Sequence, residues 1–152
     1  MKQGMGSRLK WFRDWIVKCA MIWLSGVSGV ADAQQFGSWN LNADGSWGIA
    51  SNWVPTTGVP SSMGAQIHLN NNITANRSVS LGVDRTMGLL LIGDLSGTQT
   101  FTLNGGGGSL VFDMGPTGGG NAWLNKFQGG ADVINADLVL NDWLNIRLTT
   151  QT

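Results

Sequence analysis

The feature that most constrains the fold of this chain is a series of short β-type runs separated by clusters of glycine, asparagine and aspartate. Their centres recur about every 10 to 12 residues, a spacing typical of a β-sandwich, a barrel or a solenoid. Stretches such as 105–108, four consecutive glycines, accept positive φ and make tight turns. No window after Gln34 has the apolar periodicity of an amphipathic helix. The clearest runs are residues 66–69, 78–81, 88–92, 100–103, 109–112, 137–140 and 143–148.

A longer repeat favours the solenoid. The run 78–81 matches 100–103 at a separation of 22 residues, and 89–91 matches 110–112 at 21. A repeat of about 20–25 residues that holds two or three short strands has the size of one coil of a parallel β-helix. One coil cannot bury its apolar side alone, so like residues should stack on like, with Val79 in register with Phe101. We therefore predict an all-β parallel β-helix, with an antiparallel β-sandwich as the alternative.

The segment 1–33 has a different character from the rest of the chain. Residues 1–18 carry five basic side chains and one Asp, and an apolar stretch follows at 19–30. Ala31-Asp32-Ala33 has the small-x-small form that signal peptidase cleaves, so we predict a helical signal peptide with the cut after Ala33. The alternative is a membrane-anchor helix, but 12 apolar residues diluted by Ser and Gly are too few to cross ~30 Å of hydrocarbon.

The composition of the segment 34–152 limits the partners. It contains four basic residues, seven Asp, no Glu and no Cys. The single cysteine, Cys19, lies in the predicted leader and would be removed with it. No basic field exists to attract nucleic acid, and we expect contact with a membrane only through the leader. A cysteine-free exported chain folds without disulfides, which suits a bacterial envelope or extracellular protein.

The exported part divides into two regions. Residues 34–64 contain Trp39, Trp47 and Trp53 but none of the clear strand runs, and we interpret them as an atypical first unit that caps the solenoid. Residues 65–152 then hold the β-helix repeats. The chain stops within a strand pattern, which we take as a sign of truncation at the C-terminus.

Two stretches resemble a known family. Residues 39–60 contain Trp39, Gly45-Ser46-Trp47, Ala50-Ser51-Asn52-Trp53 and Gly58-Val59-Pro60, and residues 129–142 contain a Gly pair followed by Ile-x-Ala and Leu-x-Leu-Asn. Together with 109–113, they look like the N-terminal part of bacterial exported proteins with autotransporter-associated β-strand repeats. The likeness covers roughly 37–149 and implies a right-handed parallel β-helix, secreted or displayed on the cell surface. It implies no shared catalytic residues.

The family proteins usually run for hundreds of residues and end in a translocating barrel or a sorting tail, neither of which this sequence contains. We therefore expect a partial product. A related hypothesis is that the reading frame is a non-functional remnant of a larger gene, which a continuing repeat frame downstream would reveal.

Few residues are candidates for chemistry. His68, the only His, alternates with Ile67 and Leu69, so it should face outward. One His and no Cys cannot supply a usual zinc site. Asp side chains such as Asp132 and Asp137 could bind Ca²⁺ or act as paired acids on a polysaccharide, but their positions beside glycines favour local turn bonds. We expect no catalytic residue, no metal and no cofactor.

The three tryptophans have two interpretations. Exposed indoles of Trp39, Trp47 and Trp53 would stack on sugar rings and form a carbohydrate-binding site. We favour a buried cap, because tryptophan is highly buried on average.

The sequence thus predicts an extracellular or outer-surface protein without enzymatic activity. It would act as a structural or adhesive β-helical passenger fragment whose partners are surface glycans or extracellular matrix. The alternative is a β-helix that binds or cleaves polysaccharide.

Overall fold

The computed structural model describes residues 34–149 of the chain. The predicted leader, its cut after Ala33, Cys19 and residues 150–152 lie outside the described residues. A 3-10 turn occupies Ala50–Asn52, and a single helical turn, α1, occupies Gly115–Gly118. The strands are β1 (Phe36–Trp39), β2 (Gly45–Ser46), β3 (Trp53–Val54), β4 (Gln66–Leu69), β5 (Arg77–Ser80), β6 (Arg85–Met87), β7 (Leu89–Ile92), β8 (Phe101–Asn104), β9 (Leu110–Phe112), β10 (Ala122–Lys126), β11 (Val133–Asn135), β12 (Leu138–Leu140) and β13 (Leu144–Leu148).

The strands form three sheets, and nearly all of their pairings are parallel. The six-stranded sheet has the order β13-β10-β7-β4-β1-β3, the four-stranded sheet β11-β8-β5-β2, and the three-stranded sheet β12-β9-β6. Among the described residues, only β1 and β3 pair antiparallel. The prediction of an all-β fold with parallel sheets is confirmed. The antiparallel β-sandwich is wrong, because sandwich hairpins would pair consecutive strands antiparallel.

From β4 onwards, each strand pairs with the strand three positions later in the chain. Thus β4 pairs with β7, β5 with β8 and β6 with β9. Three consecutive strands therefore visit the three sheets in turn before the chain returns to the first sheet. We call each set of three strands a layer: β4–β6, β7–β9 and β10–β12, with β13 beginning the next.

The predicted register is wrong by two positions. Val79 faces Leu103, and Phe101 faces Arg77 instead of Val79. A shift of two leaves the same side chains pointing inward, because the side-chain period of a strand is two. The second predicted match fails for another reason: residues 89–91 lie in the six-stranded sheet, whereas 110–112 belong to the three-stranded sheet.

Inward-facing side chains of the three sheets meet in one apolar core. In β4, Ile67 and Leu69 are buried while Gln66 and His68 are half-buried, as alternation requires. The other strands of the first two layers add to the same core, whose members include Val79, Met87, Leu90, Ile92, Phe101, Leu103, Leu110 and Phe112.

The final strands leave the same core open at one end. Leu138 and Leu140 lie in register with the buried Leu110 and Phe112, yet they are 45% and 54% exposed. Ile146 is 64% exposed. The exposure follows from position, because within residues 34–149 no strand covers the far side of β12 or β13.

Candidate functional site

The three tryptophans named from the sequence form one buried cluster. Trp39 is 1% exposed, and Trp47 and Trp53 are fully buried. The ring of Trp53 lies 5.1 Å from that of Trp39, nearly perpendicular, and 4.8 Å from that of Trp47. Their indole faces are therefore covered by each other and by the core, so these residues are not available to stack on a sugar ring from solution.

Each of these indole N–H groups has a backbone partner. Trp39 donates to Leu41 O at 2.9 Å, Trp47 to Pro60 O at 2.9 Å, and Trp53 to Trp47 O at 2.8 Å. A buried donor without a partner would be costly, so these bonds let the large rings enter the core. The cluster links β1, β3 and the loop that ends at Pro60.

His68 lies on the outer side of β4, as its alternation predicts. Its ring and that of Phe36 are nearly perpendicular, with 5.0 Å between ring centres. Burial lowers the pKa of His68, so the imidazole is neutral at pH 7. This aromatic contact serves packing, whereas a triad histidine needs an orienting carboxylate and an activated serine.

Several aspartates join neighbouring layers. Each accepts a hydrogen bond from a backbone N–H that is distant in sequence, at the start of a strand or turn of the adjoining layer. This is turn chemistry across layers rather than within one turn. The bonds are Ser78 N–H to Asp44 (2.8 Å), Ser109 N–H to Asp84 (2.9 Å), Phe101 N–H to Asp132 (2.7 Å) and Met114 N–H to Asp142 (2.6 Å).

Asp94 is the most enclosed of the described carboxylates, with no exposed surface. Its two oxygens accept bonds from Ser96 Oγ and from the backbone N–H groups of Ile73, Ser96, Thr98 and Gln99, at 2.5 to 3.2 Å. Burial alone would raise the pKa of Asp94, but these bonds outweigh it and hold the pKa well below its ordinary value. The carboxylate therefore fixes the loop after β7 and ties it to Ile73 in the preceding layer.

Asp132, a candidate acid, is held by two partners. Its Oδ1 accepts the Phe101 N–H, and its Oδ2 lies 2.8 Å from Lys126 Nζ in an ion pair. The Asp132 side chain is only 4% exposed. Asp137, the other candidate, is exposed. The contacts of Asp132 indicate a structural role, since a general acid must be free to exchange a proton with substrate.

Two pockets adjoin this ion pair at the open end of the core. One, of about 330 Å³, is lined by the 126–129 segment together with Gly97, Leu148 and Thr149. The other, of about 230 Å³, is lined largely by apolar side chains, among them Leu124, Ile134 and Ile146. Within residues 34–149, no three His, Cys, Asp or Glu side chains lie close enough together to hold a metal ion.

The outer face of the six-stranded sheet carries a different set of side chains. We define the outer strip as two rows of outward residues in register across the parallel strands. Phe36 and Trp123 are 45% and 40% exposed, and both belong to the first row. The first row is Phe36, Gln66, Leu89, Trp123 and Asn145, and the second is Ser38, His68, Leu91, Asn125 and Arg147.

Sequence reasoning did not identify the outer strip. The segment 122–126 lies between glycine-rich stretches and is not among the clear strand runs. One signal for an outward Trp123 was present in the sequence. Ala122 and Leu124 alternate with Trp123 and Asn125, so a strand here would place the tryptophan on the face away from the two apolar side chains. The alignment of Trp123 with Phe36 depends on turn lengths, which sequence does not fix.

Comparisons with models of protein families, with curated proteins and with solved structures find no match for this chain. In the part of the chain that the structure describes, no helix has the length and apolar character needed to span a membrane.

Proposed function

We propose that this chain is a right-handed parallel β-helix that is exported and serves as a structural or adhesive element at the cell surface, without catalytic turnover. The observation that carries the proposal is the pairing of each strand with the one three positions later, in parallel and in three sheets. Each added layer would lengthen such a rod by ~4.8 Å, which suits a stalk or a spacer.

Residues 34–64 act as the cap in this proposal. Two observations support this cap. The three tryptophans are buried, and the antiparallel strand β3 occupies the edge of the six-stranded sheet beyond β1. This edge strand is only two residues long, and a very short edge strand limits pairing with foreign strands. The likeness to exported proteins with autotransporter-associated β-strand repeats remains part of the same proposal.

The adhesive function needs an exposed surface of suitable chemistry, and the outer strip is the surface that supports it. Surface glycans or extracellular matrix are the expected partners. Polysaccharide binding, the alternative function, is favoured by the same observation. The aromatic and amide side chains of the strip are those that sugar-binding surfaces use.

Export is tested by expressing the complete chain in a bacterial host and isolating it from each cell fraction. We expect the surface or secreted fraction to contain a chain that begins at Gln34, as determined by N-terminal sequencing. Ala33→Leu should block the cut, because signal peptidase requires a small residue there. A chain that keeps Met1 and stays in the cytoplasm would overturn the exported function.

Adhesion is tested with beads that carry the purified chain, applied to glycan-coated, matrix-coated and bare surfaces. Retention on a coated surface above the bare one supports the adhesive function. If the beads adhere to neither coating, the adhesive function is wrong and only the structural function remains. An enzyme that cleaves polysaccharide would instead release reducing sugars.

A further inference from the structure

The outer strip has features that select one class of ligand. We propose that it binds an extended, neutral polysaccharide that lies across the strands of the six-stranded sheet. The inference rests on the proposed surface function and adds the binding site and the class of its ligand.

The aromatic side chains of the strip are spaced along a single row. Phe36 on β1 and Trp123 on β10 are separated by three strand-to-strand steps, through Gln66 on β4 and Leu89 on β7. Three steps of ~4.8 Å place the two rings roughly 14 Å apart. The rise per sugar of an extended polysaccharide is close to one strand step, so several successive sugars would span the two rings.

Polar side chains accompany the aromatic row. Gln66 and Asn145 lie in the row itself, and His68 lies beside it in the second row. Amides and a neutral imidazole both donate and accept hydrogen bonds, as sugar hydroxyls require. The burial that lowers the pKa of His68 keeps its ring neutral and leaves it one acceptor nitrogen.

The charge of the strip favours a neutral polymer. Its ten side chains include no carboxylate, although seven Asp lie elsewhere after residue 34, and they include one cation, Arg147, at the end of the second row. An acidic polysaccharide would be bound through several cations along its length, as polyanions generally are.

The outer faces of the other two sheets lack these features. The four-stranded sheet presents a row of Ser46, Ser80, Asn104 and Asn135. The three-stranded sheet presents Thr86, Val111 and Val139. Neither row contains an aromatic ring, so the six-stranded sheet alone among the described sheets offers both stacking surfaces and hydrogen-bonding groups in register.

The test is affinity electrophoresis of the complete chain in gels that contain hydroxyethyl cellulose, galactomannan or polygalacturonate. We expect retardation by at least one neutral polymer and little by polygalacturonate. Trp123→Ala should weaken binding roughly five- to tenfold through loss of a stacking ring, while Trp123→Phe, which keeps a ring, should retain most of it. Val133→Ala is the matched control, because Val133 is 42% exposed on the outer face of the four-stranded sheet.

Circular dichroism and thermal unfolding establish that each variant is folded. The proposal is overturned if no neutral polymer retards the folded chain, if polygalacturonate alone does, or if Trp123→Ala binds as tightly as the original. Loss of adhesion to a matrix protein in Trp123→Ala, without polysaccharide binding, would make the strip a protein-binding surface and also overturn it. Failure of export would leave polysaccharide binding intact, so the two proposals fail separately.

Discussion

At the scale of single residues, the aspartates within residues 34–149 act mainly as hydrogen-bond acceptors for backbone N–H groups. Asp44, Asp84 and Asp132 each hold an N–H of an adjoining layer, so the carboxylates stabilise the stacking of layers. Hydrogen bonds to charged groups contribute about 1.5–3 kcal/mol each, more than neutral ones. A low-charge chain can therefore obtain considerable stability from a small number of acidic side chains.

Asp94 provides a prediction that depends on pH. Because hydrogen bonds hold its pKa below the ordinary value of 3.8, the unfolded chain binds this proton more readily than the folded chain. The stabilisation is thus fully present well above pH 3.8 and is lost as pH falls towards the pKa of the folded state. We expect the free energy of unfolding, measured with urea, to decrease from about pH 5 to pH 2.

Asp94→Asn should lower the free energy of unfolding by about 2–4 kcal/mol at pH 7, since buried donors lose a charged acceptor. It should also flatten the dependence on pH. Asp137→Asn removes one charge at an exposed position and is the control. A pH profile that is the same in Asp94→Asn and in the original chain would show that this carboxylate does not contribute as described.

At the scale of strands, the alternating pattern predicts which residues are strands more reliably than which strands are neighbours. The runs at 66–69, 109–112 and 143–148 correspond to β4, β9 and β13 within one residue. The register of β5 against β8 was not predictable from the sequence match, because Val79 over Phe101 and Val79 over Leu103 both keep apolar side chains inside. The turns between the strands decide between these registers.

The separation between paired strands also varies too much for a fixed repeat to be found. Leu89 pairs with Trp123, whereas Ala122 pairs with Leu144, and the first pair is half as far apart again in sequence as the second. Additional residues between strands, among them the glycine-rich segment 115–120, account for the longer separations. The candidate site was missed for the same reason, since the outer strip exists only when this register is known.

The register between β5 and β8 can be tested with paired cysteines. Ser80 and Asn104 are in register and point outward, so Ser80→Cys with Asn104→Cys should form a disulfide on mild oxidation. Ser80→Cys with Thr102→Cys represents the register predicted from the sequence. This pair should not form a disulfide, because the two residues are roughly 8 Å apart when the strands are offset by two. Both pairs are made with Cys19→Ser and compared by non-reducing electrophoresis. Faster oxidation of the second pair would contradict the structure.

Close contact between layers yields a second prediction at this scale. Gly93 follows β7 with φ of 146°, and a Cβ there would collide with the backbone oxygen of Gln128 in the next layer. Gly97 also has positive φ, 89°, but a Cβ there would meet nothing within 4 Å. Gly97→Ala should therefore cost only the conformational strain, about 1–2 kcal/mol.

Gly93→Ala should cost at least about 1 kcal/mol more than Gly97→Ala, because the backbone of an adjoining layer must also move. Urea unfolding of both variants measures the difference. Equal costs would mean that the two layers are not in close contact at this position.

At the scale of the whole described region, the two ends of the core differ. Tryptophans and β3 cover the core beside β1, whereas most inward side chains of β12 and β13 remain exposed. An interior side chain stabilises the fold in proportion to the apolar area that it buries. The contribution of each residue to stability should therefore decrease towards the open end.

One row of inward residues tests this gradient. Ile67, Leu90, Leu124 and Ile146 lie in register on four successive strands of the six-stranded sheet. Ile67 and Leu90 are fully buried, Leu124 is half-buried, and Ile146 is 64% exposed. Ile67→Ala and Leu90→Ala should each cost about 2–5 kcal/mol of unfolding free energy, and Ile146→Ala less than about 1 kcal/mol.

Hydrogen exchange of the backbone N–H groups should show the same order, with slow exchange in β4 and β7 and fast exchange in β13. Dilution of the sample is the control, because it changes the protection of β13 only if copies of the chain associate. If Ile146→Ala were as costly as Leu90→Ala, the side chain of Ile146 would have to be covered in solution. The gradient would then be wrong, and a further layer of polypeptide would have to lie against β12 and β13.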